Sequence, residues 1–165
     1  MVAPPPQAQA VPVAQPLWGA RTARSVLRAG GTPVTISLYL VDDHAAFRSY
    51  LQRLLARQPD LRVVGQADDG EQALRAAERC APGALADVVL LDIALPGASG
   101  IDVVRGLQRL CAATRVLGLS THEDPVLTQA MLAAGALRCL SKNDPLDLLL
   151  QAIRTAAAQP GQDKV

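Results

Sequence analysis

Aromatic residues make up only 2% of this 165-residue chain: one Trp, one Phe and two Tyr. A core built without them has to be packed by Leu, Val, Ile and Ala, and half of the residues are hydrophobic. Cysteine is scarce too. Cys80, Cys111 and Cys139 form an odd set with no C-x-x-C spacing. That argues against a disulfide framework or a thiolate zinc site and fits free thiols in a reducing cytoplasm. No apolar run approaches the ~18 residues of a membrane span, and no charged segment precedes an apolar core at the N-terminus, as a secretory signal requires. Net charge is nearly absent at +1, which argues against a strong general polyanion binder. The expectation is a cytoplasmic protein with no membrane contact.

The length suits one domain. Residues 1–33 are rich in Pro, Ala, Gln and Gly, and carry Arg21, Arg24 and Arg28 with no acid. Such a segment buries too little to offset its ordering entropy, so a disordered extension is expected there. Residues 34–159 are expected to form the domain and 160–165 a short tail.

Within the domain, the stretch Val88-Val89-Leu90-Leu91-Asp92 runs four apolar residues into one carboxylate, and a Pro/Gly/Ser turn follows. An uninterrupted apolar run between turn signals reads as a strand buried on both faces. Similar strands are expected at 35–41, 61–67, 115–119 and 137–140. Apolar residues at helical spacing follow each strand: Phe47, Leu51, Leu54 and Leu55; Ala73, Leu74, Ala77 and Cys80; Ile101, Val104, Leu107 and Leu110. The fourth helix is expected over 123–134, stopped by Gly135, and the last from Asp144-Pro145 through Leu146, Leu149, Ile153 and Ala157. Five β-α alternations with short loops predict an α/β fold, a doubly wound five-stranded parallel sheet with helices on both faces.

A parallel sheet delivers all its strand carboxyl ends to one edge, where open α/β sheets place their ligands. That edge receives Asp42 and Asp43, Asp92, Ser120 and Lys142. Any one of these residues has a plain reading. Asp42 and Asp43 could cap the first helix, Asp92 a turn, and Lys142 could be a solvated loop cation; together they are far more specific. Two like charges about 4 Å apart cost on the order of 4 kcal/mol at an effective dielectric near 20, so clustered carboxylates call for compensation. Lys142 supplies one positive charge and a divalent cation could supply the rest. Oxygen donors favour Mg²⁺. A carboxylate beside Mg²⁺ and a lysine is placed to attack a phosphoryl group, and Ser120 could donate a hydrogen bond to it. His44 and His122 have no suitably spaced Cys or His partner for zinc and are expected as exposed residues at helix starts.

From about Thr35 to Gln159 the chain resembles a response-regulator receiver domain of bacterial two-component signalling. Val41-Asp42-Asp43-His44, Leu91-Asp92-Ile93-Ala94-Leu95-Pro96-Gly97, Leu119-Ser120-Thr121-His122 and Leu140-Ser141-Lys142 match that family's motifs in order. Asp43 precedes Asp92 by 49 residues, Asp92 precedes Ser120 by 28, and Ser120 precedes Lys142 by 22. The motif forms look most like the subfamily with a C-terminal helix-turn-helix. The resemblance implies a (βα)5 flavodoxin-like receiver fold with Asp92 as phosphoacceptor. Asp42, Asp43, Asp92 and the Ala94 backbone carbonyl would hold Mg²⁺, Ser120 would be the switch hydroxyl, and Lys142 would pair with the phosphoryl group. It implies a sensor histidine kinase as donor, and a switch with slow self-dephosphorylation rather than an enzyme.

Two departures stand out. Cys139 occupies the fifth-strand position where the family usually carries Tyr or Phe. After Gln159 only six residues remain, too few for a helix-turn-helix, so direct nucleic-acid binding by this chain is not expected. The leading expectation is a phosphorylation-switched interaction module, pairing with itself or with an output protein through residues 124–158, with Leu127, Met131, Cys139 and Leu146 as candidate apolar contacts. The alternative is the receiver portion of a DNA-binding transcription regulator. A third class, a Mg²⁺-dependent phosphohydrolase, is disfavoured because Ala94 stands where a second acid, two residues after the nucleophile, would be needed.

Overall fold

A computed structural model describes residues 34–81 and 83–159; the disordered extension expected over 1–33 and the tail expected over 160–165 lie outside the described residues. Five strands and five helices alternate in the order β1 (Ile36–Val41), α1 (Ala45–Leu55), β2 (Leu61–Ala67), α2 (Gly70–Cys80), β3 (Val88–Asp92), α3 (Gly100–Leu110), β4 (Arg115–Ser120), α4 (Pro125–Ala134), β5 (Arg138–Ser141) and α5 (Leu146–Ala158). The strands form one parallel sheet in the order β2-β1-β3-β4-β5. The chain leaves β1 in one direction and returns beyond it as β3. This reversal makes β1 and β3 neighbours and opens a crevice at their carboxyl ends.

Alternation along each strand divides the core between the two faces. Leu38 and Leu40 of β1 join Leu51 and Leu55 of α1 and Leu149, Leu150 and Ile153 of α5 on one face. Tyr39 and Val41 join Ala73 and Ala77 of α2, Val103, Val104 and Leu107 of α3, and Met131 of α4 on the other. All five residues of β3 are buried. The doubly wound expectation therefore holds, with small alanines letting α2 lie close to the sheet.

The element ends differ in detail from the sequence expectation. Helix α4 begins at Pro125 rather than at residue 123, because the Asp124 carboxylate accepts from the amides of Val126 (2.9 Å) and Leu127 (3.1 Å). Asp124 is the cap, and Pro125 occupies the first turn, where a missing N–H costs nothing. Gly135 ends the helix at φ 117°, a left-handed position that favours glycine. Asp144 does not start α5. Its Oδ2 accepts from the Ser141 amide at 2.9 Å, while its own amide donates to the Ser141 carbonyl at 3.1 Å. This tight turn fixes the backbone around Lys142.

The β1–β2 pairing shifts register between Leu38 and Tyr39, where Leu38 faces Val63 but Tyr39 faces Gly65. A Cβ on Gly65 would lie 2.5 Å from Tyr39 Cε2. Glycine there makes room for the ring, whose hydroxyl donates to the Gln66 carbonyl at 3.2 Å.

Candidate phosphoacceptor and metal site

Asp42 closes β1 and Asp92 ends β3, so the crevice between these two strands gathers two carboxylates, each only 3% exposed. Neither is left bare. Asp42 Oδ1 accepts from the His44 amide and Asp92 Oδ1 from the Ala94 amide, both at 2.8 Å. In each case the acid turns back on the residue two positions ahead and fixes its own loop.

Lys142 follows β5 and reaches across from the far side of β4. Its Nζ donates to Asp42 Oδ2 at 2.6 Å and to Asp92 Oδ2 at 2.8 Å, with the side chain 7% exposed. Burial opposes the ammonium charge, but the hydrogen bonds and negative charges of Asp42 and Asp92 outweigh that cost and raise the Lys142 pKa above its ordinary value. The Phe47 ring lies 4.5 Å from Nζ and adds a cation–π contact. Arg48 donates through its guanidinium to the Asp42 carbonyl, pinning the end of β1 from α1.

Asp43 is exposed and completes the acidic group. One ligand atom from each of Asp42, Asp43, His44 and Asp92 lies within 4.8 Å of the others. Three carboxylates against one ammonium leave an excess of negative charge, and Asp43 and Ala94 stand on the solvent side. Hard oxygen donors with room for several waters are the coordination that Mg²⁺ prefers. The donor set fits that ion.

The structure thus brings together Asp42, Asp43, Asp92 and Lys142. Ser120 ends the neighbouring strand β4, but its hydroxyl is spent locally, donating to the His122 carbonyl at 2.5 Å and accepting from the His122 amide at 3.1 Å. Sequence spacing places Ser120 at the correct edge without revealing that turn. His122 is exposed, as expected. His44 is exposed but is not a bystander, since its ring joins the acidic group. Its position directly after Asp42-Asp43 was the available signal.

On the expected interaction face one correction is needed. Met131 is fully buried among core residues of α2, α3 and the sheet, so it is unavailable to a partner. Leu127, Cys139 and Leu146 are half-buried, while Val126 and Leu148 are exposed. Burial raises the Cys139 thiol pKa, and Gly118, its partner in β4, leaves the space the sulfur occupies, with a Cβ there meeting Sγ at 3.0 Å.

Residues 38–154 match the response regulator receiver domain. The chain belongs to that family. It is 34% identical over 122 residues to the transcriptional regulatory protein DegU of Brevibacillus brevis, covering 74% of this chain and 50% of DegU. It is 36% identical over 128 residues to the nitrate/nitrite response regulator protein NarL of Escherichia coli K12, covering 76% of this chain and 56% of NarL. The chain spans about half the length of these relatives. Among solved structures it resembles the NarL signal receiver domain of Mycobacterium tuberculosis, with a TM-score of 0.69 and 32% identity over 78% of this chain and 100% of that one. A LuxR-family two-component response regulator from Aurantimonas sp. SI85-9A1 superposes with a TM-score of 0.69 at 31% identity, over 75% of this chain and 86% of that one. The flavodoxin-like receiver fold is therefore established. Members of the family are signalling switches that accept a phosphoryl group on an aspartate and typically bind Mg²⁺ at an acidic pocket. Among the described residues no helix is long and apolar enough to cross a membrane.

Proposed function

We propose that residues 34–159 form a cytoplasmic receiver unit whose Asp92 accepts a phosphoryl group from a sensor histidine kinase. The observation that carries this reading is Lys142 Nζ bridging Asp42 Oδ2 and Asp92 Oδ2. A carboxylate oxygen of Asp92 attacks phosphorus as the bond from phosphorus to the donor's imidazole nitrogen breaks, and the product is an acyl phosphate. Lys142 exchanges one carboxylate contact for a phosphoryl oxygen. Ser120 leaves its bond to the His122 carbonyl and donates to the phosphoryl group. Asp42, Asp43, Asp92 and the Ala94 carbonyl would hold Mg²⁺, which when bound would supply positive charge to offset that of the transferring oxygens.

The output is protein–protein interaction through residues 124–158, by self-association or with a downstream protein. The added charge of about −1.5 to −2 biases the Ser120–His122 turn and the helix that follows. Cys139 is smaller than the aromatic ring usual at this position, and its β4 partner Gly118 leaves the space its sulfur occupies. A second reading, the receiver half of a DNA-binding transcription regulator, is favoured by the match to about half the length of DegU and NarL.

Intact mass after incubation with acetyl phosphate tests the chemistry. A phosphoryl adduct that requires Mg²⁺ and is absent from Asp92→Asn supports it. An adduct of equal size in Asp92→Asn overturns the assignment.

A further inference from the structure

The amino-terminal edge of the sheet, opposite Asp92, holds a buried charge for which the phosphoacceptor site has no use. Arg115 opens β4 and is 7% exposed. Its guanidinium meets only backbone acceptors: Nη1 donates to the Ala112 carbonyl and Nη2 to the Gln159 carbonyl, both at 3.3 Å, which is long for such bonds. Among the described residues no carboxylate forms an ion pair with it. Asp87, just before β3, accepts the Arg115 amide on its carbonyl at 3.0 Å, but its carboxylate is taken by the Ser37 amide at 2.7 Å and hydroxyl at 2.6 Å. A buried charge is costly unless it is paired, and neither carbonyl carries a full charge.

The guanidinium borders a cavity of about 150 Å³ at the carboxyl ends of α3, α4 and α5. Leu132, Ala136 and Leu137 give it an apolar wall, and Gln108 adds a polar group. Gln108 Nε2 is held only by the Gly135 carbonyl at 3.5 Å, so it is free to turn to a better acceptor. We propose that this cavity is a second ligand site that takes a small carboxylate, with its oxygens on the Arg115 guanidinium and its short apolar stem against Leu132 and Leu137. A planar guanidinium matches a carboxylate through paired hydrogen bonds, and the apolar wall favours an alkyl stem over a bare tetrahedral oxyanion. A cavity of about this volume holds roughly six non-hydrogen atoms, since one of that size accepts benzene. Butyrate has that bulk. Because Arg115 also holds the Gln159 carbonyl, the bound ligand sits where the chain leaves α5.

Titration of the full chain with sodium butyrate at constant ionic strength tests the proposal, followed by ¹H–¹⁵N NMR at the Arg115 side chain and at the Gly135 and Leu137 amides. Saturable shifts with butyrate, and none with uncharged butyramide, are the expected result. Inorganic phosphate should bind more weakly than butyrate, and tighter phosphate binding overturns the carboxylate assignment. Arg115→Gln should weaken butyrate at least about tenfold. Gln108→Glu places a carboxylate in the same cavity and should weaken butyrate as much while keeping the buried guanidinium paired, so it carries the test if Arg115→Gln fails to fold. Asp163 lies four residues beyond Gln159 in sequence and is another source of the same chemical group; Asp163→Asn should match wild type. Butyrate binding that appears only in Asp163→Asn makes the chain's own acid the occupant and overturns a free ligand. Butyrate shifts that survive Arg115→Gln or Gln108→Glu, or butyramide shifts of equal size, overturn the site.

Discussion

Lys142 and Asp92 are 50 residues apart in sequence, yet Nζ and Oδ2 meet at 2.8 Å. The two strands that carry them are not neighbours, because β4 lies between β3 and β5. The contact therefore depends on the turn closed by Asp144, which aims the lysine back across the sheet edge.

Removing this ammonium leaves Asp42 and Asp92 buried without their shared counter-charge. Lys142→Ala is expected to lose about 3 kcal/mol of stability in metal-free buffer. Mg²⁺ should restore part of that loss and stabilise the variant more than it stabilises wild type. Chemical denaturation with and without Mg²⁺ measures both.

Gly65 and Tyr39 make a second long-range fit that is open to test. Gly65→Ala forces a Cβ against a buried ring and is expected to cost about 1–3 kcal/mol. Combining it with Tyr39→Leu should recover part of the cost. A double-mutant cycle of denaturation midpoints reads the coupling.

Arg154 on α5 holds Asp60 through Nε at 2.7 Å and Nη2 at 3.0 Å. The guanidinium hydrogen bond keeps the Asp60 carboxyl below its usual pKa of 3.8. A carboxyl lowered in the folded state stabilises the fold above the unfolded value and loses that contribution as pH falls through the folded one. Arg154→Ala should therefore be less stable than wild type at neutral pH, with the gap starting to narrow near pH 3.8 and closing below it. Thermal melts of both proteins across the acid range check this.

Met131 is the test of the corrected interaction face. Met131→Ala is expected to destabilise the domain by about 2–5 kcal/mol, as a core truncation. Val126→Ser, at a position of α4 that is 80% exposed, should leave stability within about 0.5 kcal/mol of wild type. Denaturation of the two variants side by side separates core from surface.

Much of this architecture was legible in the sequence, because each strand is a short apolar run stopped by a polar or turn residue, and Asp42, Asp92, Ser120 and Lys142 mark those stops. The side assignment of Met131 was not legible. Helix α4 has apolar residues around most of its circumference (Val126, Leu127, Met131 and Leu132), so periodicity names no inner face. The Ser120 turn and the reversal of Asp144 onto Ser141 depend on hydrogen bonds between residues two or three apart. Spacing permits those bonds but does not require them. The Tyr39–Gly65 shift was hidden for a different reason, since it joins two strands through one ring.

The most direct test of the central claim is the position of the acyl phosphate. Borohydride reduction of the acetyl phosphate-treated, Mg²⁺-loaded protein converts a phosphorylated aspartate to homoserine, and peptide sequencing by mass spectrometry locates it. Homoserine at position 92 alone is the predicted result. Homoserine at position 42 or 43, with none at 92, would contradict the account.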